Sequence, residues 1–207
     1  GEIGGEIGTA PHGGGGGSGS TKTPCQQLKD NNSKPIANTT PPKTVLDNLN
    51  DLTTQIPTNP RERMYILTPT TTAEDLYVEN YVEGPLNGGD VELNLSDLFV
   101  SALMHCHYNT SLLSIFSLSD IYQMYSLQSS GFLLNNGETF TSYLVTAHGT
   151  KYAIKFTPQD PNSLNTYNDS YFSDYNNPNE QKNLEDGYQV LVNKNYTKEQ
   201  NELGFLK

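Results

Sequence analysis

Apolar residues along the chain recur in two rhythms. Between Thr44 and Ile56, Val45, Leu46, Leu49, Leu52 and Ile56 fall at helical spacing, which predicts an amphipathic helix that Pro57 and Pro60 stop. Arg63 to Pro69 (RMYILTP) and Leu76 to Val82 (LYVENYV) are short runs rich in strand formers. The turn-prone Gly84-Pro85 and Asn87-Gly88-Gly89 close the second. The strongest apolar run, Leu98 to Met104 (LFVSALM), feeds directly into His105-Cys106-His107 and predicts a buried central strand whose carboxyl end opens on a cleft.

From Ser117 the period changes. Leu118, Ile121, Tyr122, Met124, Tyr125 and Leu127 recur as on a helix that begins at Ser117 and ends near Ser129-Ser130-Gly131. Thr139 to Ala147 and Lys151 to Thr157 then predict two strands joined at His148-Gly149-Thr150 as a tight hairpin. Pro158 to Pro178 lacks apolar periodicity and reads as a long Tyr- and Asn-rich loop. Asn179 to Val192 and Thr197 to Leu206 predict two closing helices, and Cys25 to Lys29 one helical turn near the start, broken by NNSKPIANTTPP.

Gly1 to Thr23 is Gly/Ser-rich with no apolar pattern and reads as a flexible linker, leaving residues 24–207 as a single domain. The chain opens on Gly rather than Met, so it reads as the carboxyl-terminal part of a longer polypeptide, tethered to an upstream protein. Twelve Lys and Arg against 23 Asp and Glu give a formal net charge of −11. Such a surface repels phosphate backbones and anionic lipid, which argues against nucleic acid as a partner. No apolar run approaches the ~20 residues of a spanning helix, so no membrane insertion is expected. Few Lys and Arg, abundant Asn, Thr, Ser and Tyr, and no Trp suit an extracellular or cell-surface bacterial protein. Two cysteines, Cys25 and Cys106, make no disulfide framework.

Candidate chemistry concentrates in one place. On a strand, His105 and His107 point to the same face, with Cys106 between them on the other as a small buried hydrophobe. Asp120, arriving from the next element, completes a three-ligand set that leaves a position for water on a metal. Each piece also has a plainer reading: two histidines on one strand need no metal, and Ser117-x-x-Asp120 is the signature of a helix N-terminus. His148 reads as a solvated turn residue and His12 as part of the linker. The Asp and Asn of Asn168-Asp169-Ser170 and Asp174-Tyr175-Asn176 lack calcium-loop spacing. No Gly-rich phosphate loop follows a strand, and no nucleophile elbow is present.

Taken in order, His-x-His, a loop and Ser-x-x-Asp, with a glutamate at the head of an earlier strand, resemble the metal motif of the JAB/MPN (JAMM) zinc metallopeptidases. The resemblance covers about residues 62–157. It implies an α/β fold with a mixed central sheet flanked by helices, in a JAB/MPN-like, cytidine-deaminase-like layering. It further implies Zn2+ held by His105, His107 and Asp120, Glu62 acting on the zinc-bound water, and Ser117 stabilising the oxyanion. The implied activity is zinc-dependent hydrolysis of peptide or isopeptide bonds, with a protein or peptide as substrate. The chain departs from the family pattern in three ways: Tyr108 stands where Pro is usual, the twelve residues between His107 and Asp120 exceed the usual spacing, and Glu62 is not followed by Gly. Glu74, Glu79, Glu83 and Glu92 compete with Glu62. A non-catalytic interaction module of the same fold, binding a protein through the Tyr-rich loop, is the alternative.

Overall fold

The computed structural model describes residues 22–70, 73–88, 91, 93, 95, 99–133, 137, 139–155 and 171–207. All of the linker read at the start except Lys22 and Thr23, and most of the Tyr-rich loop, lie outside them. The chain order is α1 (Pro24–Asn32), β1 (Pro35–Ile36), β2 (Lys43–Thr44), α2 (Val45–Gln55), β3 (Arg63–Thr70), β4 (Ala73–Glu83), β5 (Ala102–His107), α3 (Leu118–Ser129), β6 (Thr141–Thr146), β7 (Lys151–Lys155), α4 (Pro178–Leu191) and α5 (Lys198–Phe205). The strands form one mixed seven-stranded sheet in the order β2-β1-β4-β3-β5-β6-β7. β3 runs antiparallel to both β4 and β5, β5 and β6 are parallel across α3, and β6–β7 is the expected hairpin. The fold is therefore mixed α/β with flanking helices. Among the described residues, no helix is long and apolar enough to cross a membrane.

Period-two alternation assigns the strand residues to two clusters. On one face, Val45, Leu49 and Leu52 of α2 pack with Tyr65, Leu67, Met104, Cys106, Tyr143 and Val145. On the other, Met124 and Leu127 of α3 pack with Met64, Ile66, Leu103 and Phe140. A third cluster joins Ile115 and Phe116 to Leu144 and Val192, with Tyr188 and Phe205 packed against it. Through it α4 and α5 reach the loop before α3. Arg63, fully buried, closes the α2 side: its Nη2 donates to the Leu52 carbonyl at 3.3 Å, near the helix end where orphaned carbonyls favour a cation.

Several expectations shift. The apolar run extends past Met104: the strand is Ala102–His107, so both histidines lie inside it, paired as His105↔Leu144 and His107↔Thr146 with β6. Leu98 lies outside the described residues, while Val100 and Ser101 donate their amides to the carbonyls of Phe132 and Leu67. α1 is longer than one turn because Thr23 caps it and Pro24 pre-sets its first φ. The β1 and β2 strands had no alternating signal to reveal them. In the Tyr-rich segment, Phe172 and Tyr175 are buried, and Tyr175 stacks on Tyr122 of α3 with ring centroids 4.0 Å apart. Tyr171 remains exposed.

Candidate metal centre

The site begins with the pleat of β5. His105 and His107 share the face toward α3, and Cys106 points the other way into the α2 cluster, its Sγ 3.5 Å from Arg63 Nη2. Residues 108–116 then turn back, and Ser117 caps α3. Ser117 Oγ accepts from the Asp120 amide at 3.2 Å, while the Ser117 amide donates to Asp120 Oδ2 at 2.6 Å, a reciprocal capping box. The plain helix-start reading of Ser-x-x-Asp is thus realised. The same capping bond aims Asp120 at the histidines.

The Nε2 atoms of His105 and His107 lie 3.1 Å and 3.4 Å from Oδ1 and Oδ2 of Asp120 respectively. One ligand atom from each residue can be chosen so that all lie within 4.8 Å of one another, close enough to hold a metal ion. Among the described residues no other group of three or more His, Cys, Asp or Glu side chains does so. The histidines are buried, and the Asp120 side chain is only 12 % exposed.

Hydrogen-bond geometry leaves a place for a proton or a cation between the imidazoles and the carboxylate. His107 Nδ1 donates to the Leu113 carbonyl at 2.8 Å, since a carbonyl can only accept. In the neutral ring that leaves the Nε2 lone pair turned toward a carboxylate, acceptor against acceptor, unless a proton or a cation lies between them. His105 Nε2, although close to Oδ1, lacks the alignment of a hydrogen bond, and both its ring nitrogens are buried without one. Buried polar atoms left in that state are costly. A backbone carbonyl that fixes the tautomer of a histidine is also the usual outer partner of a metal ligand.

Charge balance follows the same geometry. Burial favours the neutral His105 ring, but the charge and proximity of Asp120, the charge of Glu62 and the Tyr143 backbone outweigh it, so its pKa is raised. Burial likewise pushes the Asp120 carboxyl upward, yet His105 and His107 hold it well below the usual carboxylate range.

Glu62 sits one residue before β3. Met64 pairs with His105, so continuing that register by two residues sets Glu62 opposite His107 and on the same face as Met64. Glu79 instead bonds Asn48 and faces Lys43, and Glu83 bonds Tyr81 and Arg61. Glu92 and the side chain of Glu74 lie outside the described residues. Ser117 Oγ, besides its capping role, lies 2.8 Å from Ser119 Oγ.

Residues invisible as site residues in the sequence hold the long connection in place. His148 Nε2 donates to the Leu112 carbonyl at 3.0 Å, Thr150 Oγ1 to the Ser114 carbonyl at 2.7 Å, and Tyr188 Oη to the Phe116 carbonyl at 2.6 Å. Asn201 Nδ2 donates to Ser114 Oγ at 3.0 Å. The turn histidine His148 is thus a staple rather than a ligand. Extra loop length costs little closure entropy, and these bonds return the loop to a defined path.

No protein-family model, curated protein or solved structure matches the chain.

Proposed function

We propose that the His105–His107–Asp120 group holds zinc and that the protein is a zinc-dependent hydrolase of peptide or isopeptide bonds, as the resemblance to the JAB/MPN metallopeptidases implies. The observation that carries the metal is the pair of buried Nε2 atoms turned on one carboxylate without hydrogen-bond alignment at His105. The donor set of two imidazoles and one carboxylate suits zinc. Each imidazole has an Asp120 oxygen close by, at 3.1 Å and 3.4 Å, and one ligand atom from each residue can be chosen so that all lie within 4.8 Å of one another. Zinc bound there would make a water molecule acidic enough to yield hydroxide near neutral pH.

Glu62, which the β3–β5 register continued by two residues would set across from His107, would accept the proton of that water. Hydrolysis would add that water across the carbon–nitrogen bond, and Glu62 would return the proton to the departing amine. An open groove of about 530 Å³ runs along α3 from Ser119 to Ser130, beside Leu93, Leu127 and Phe132; none of the three ligands lines it. The same cluster also admits a non-catalytic reading, a buried ion-paired knot in an interaction module, favoured by the burial of both histidines.

Metal analysis of protein purified without chelator separates the two. Stoichiometric zinc supports the hydrolase, and its absence rejects it. Against a panel of peptide and Lys-linked isopeptide substrates, Glu62→Gln should retain zinc and lose hydrolysis; undiminished turnover rejects Glu62 as the base.

A further inference from the structure

One hydrogen-bond chain links the carboxyl-terminal helices to the ligand Asp120. The Tyr188 hydroxyl, from α4, donates to the Phe116 carbonyl at 2.6 Å. That carbonyl and the Ser117 amide are the two ends of one peptide unit, and the Ser117 amide donates to Asp120 Oδ2, also at 2.6 Å. The path is therefore Tyr188 O–H to Phe116 C=O, then Ser117 N–H to the carboxylate. Oδ2 is the oxygen that faces His107, while Oδ1 faces His105.

We propose that Tyr188 is a positioning residue for the metal site, acting through the Phe116–Ser117 peptide to orient and polarise the donor that fixes the Asp120 carboxylate. This rests on the metal reading above. Accepting a hydrogen bond at its carbonyl polarises an amide and strengthens donation by its N–H, and in a buried setting the two bonds reinforce each other. The bond at Phe116 also fixes the plane of the peptide, and with it the direction in which the Ser117 N–H points. Burial and the nearby Asp120 charge both raise the Tyr188 pKa, so the phenol stays protonated and can donate. The ring itself packs against Ile115, Phe116, Leu144 and Val192. Tyr188→Phe therefore removes the donor while leaving the packing group.

The full chain is compared as wild type, Tyr188→Phe and Val192→Ala, the last a packing change in the same cluster that keeps the backbone bond from the Val192 amide to the Tyr188 carbonyl and leaves the Tyr188 hydroxyl untouched. In metal-free protein, the Ser117 amide proton in 1H–15N spectra is expected strongly downfield in wild type and in Val192→Ala, and clearly upfield in Tyr188→Phe. On titration with Co2+, Tyr188→Phe is expected to bind about tenfold more weakly, at the low end of what outer partners of ligands contribute, with altered visible bands. Val192→Ala is expected to keep the wild-type bands. An unmoved Ser117 amide in Tyr188→Phe overturns the relay whatever the metal result. A moved amide with unchanged Co2+ affinity and bands overturns the positioning role alone. No Co2+ uptake by wild type overturns the metal reading, and the positioning role with it, while the amide shift still tests the relay.

Discussion

Replacing Asp120 by Asn gives the sharpest test of the centre, because the residue has three duties: it closes the capping box of α3, it faces two buried imidazoles, and it would supply the anionic metal ligand. The amide keeps the shape and an oxygen for the Ser117 N–H, so the cap is largely retained. The charge is lost. His105 then sits buried without its carboxylate, and removing one partner of a buried pair costs about 3–5 kcal/mol. At about 2–4 °C per kcal/mol for a chain of this size, the metal-free protein should melt roughly 6–20 °C lower. Asp47→Asn is the matched control, since Asp47 holds the same capping-box position on α2 with Thr44 but lies on exposed ground, and its melting point should move far less. Zinc supplies the second readout: at a hundredfold excess over its dissociation constant it should stabilise wild type by about 2.7 kcal/mol and Asp120→Asn by almost nothing. Thermal melts followed by circular dichroism, with chelator and with zinc, give all these numbers. Equal losses in Asp47→Asn and Asp120→Asn would refute the buried pairing, and equal zinc stabilisation of wild type and Asp120→Asn would refute Asp120 as a ligand.

Two further outcomes follow from the structure. The raised pKa of His105 gives stability that is full below the ordinary histidine value of about 6.5 and lost as pH rises through its folded value. The lowered pKa of Asp120 gives stability that is full above the ordinary carboxylate value of about 4 and lost as pH falls through its folded value. Urea midpoints in chelator should therefore show this pair's contribution greatest between about pH 4 and 6.5, whereas zinc affinity should fall on acidification because protons compete for His105; midpoints that Asp120→Asn lowers equally at every pH from 3 to 9 would contradict the coupling. Gly204→Ala would drive its Cβ into the Leu191 carbonyl oxygen, so α5 must move away from α4 at a cost of about 1–3 kcal/mol, read as a lower melting point and faster proteolysis of the carboxyl-terminal helices. An unchanged melting point would mean that the two helices do not pack so closely.

The elements were legible where pattern and punctuation agreed. α2 and α3 follow from helical spacing behind Thr44 and Ser117, and β3, β4, β6 and β7 from short runs of strand formers between turns. The two-residue strands β1 and β2 were not legible, because two residues contain no period. At β5 the apolar run and the strand do not coincide: the run ends at Met104, while pairing with β6 continues through both histidines, which the sequence pattern already placed on a strand. At the site, the shared face of His105 and His107 was legible from the pleat, whereas Tyr188, His148 and the Leu113 carbonyl were not, since their partners are backbone atoms of a distant loop.

By itself, then, the sequence determined that two imidazoles lie on one face of a buried strand and that a capped helix begins with an aspartate, because both are consequences of local backbone periodicity. Tertiary structure decided that Asp120 meets those imidazoles and that His107 Nδ1 is bound to a loop carbonyl. Those facts depend on strand register and on how a loop is pinned, and both are set by residues remote in sequence whose side chains carry no periodic signal.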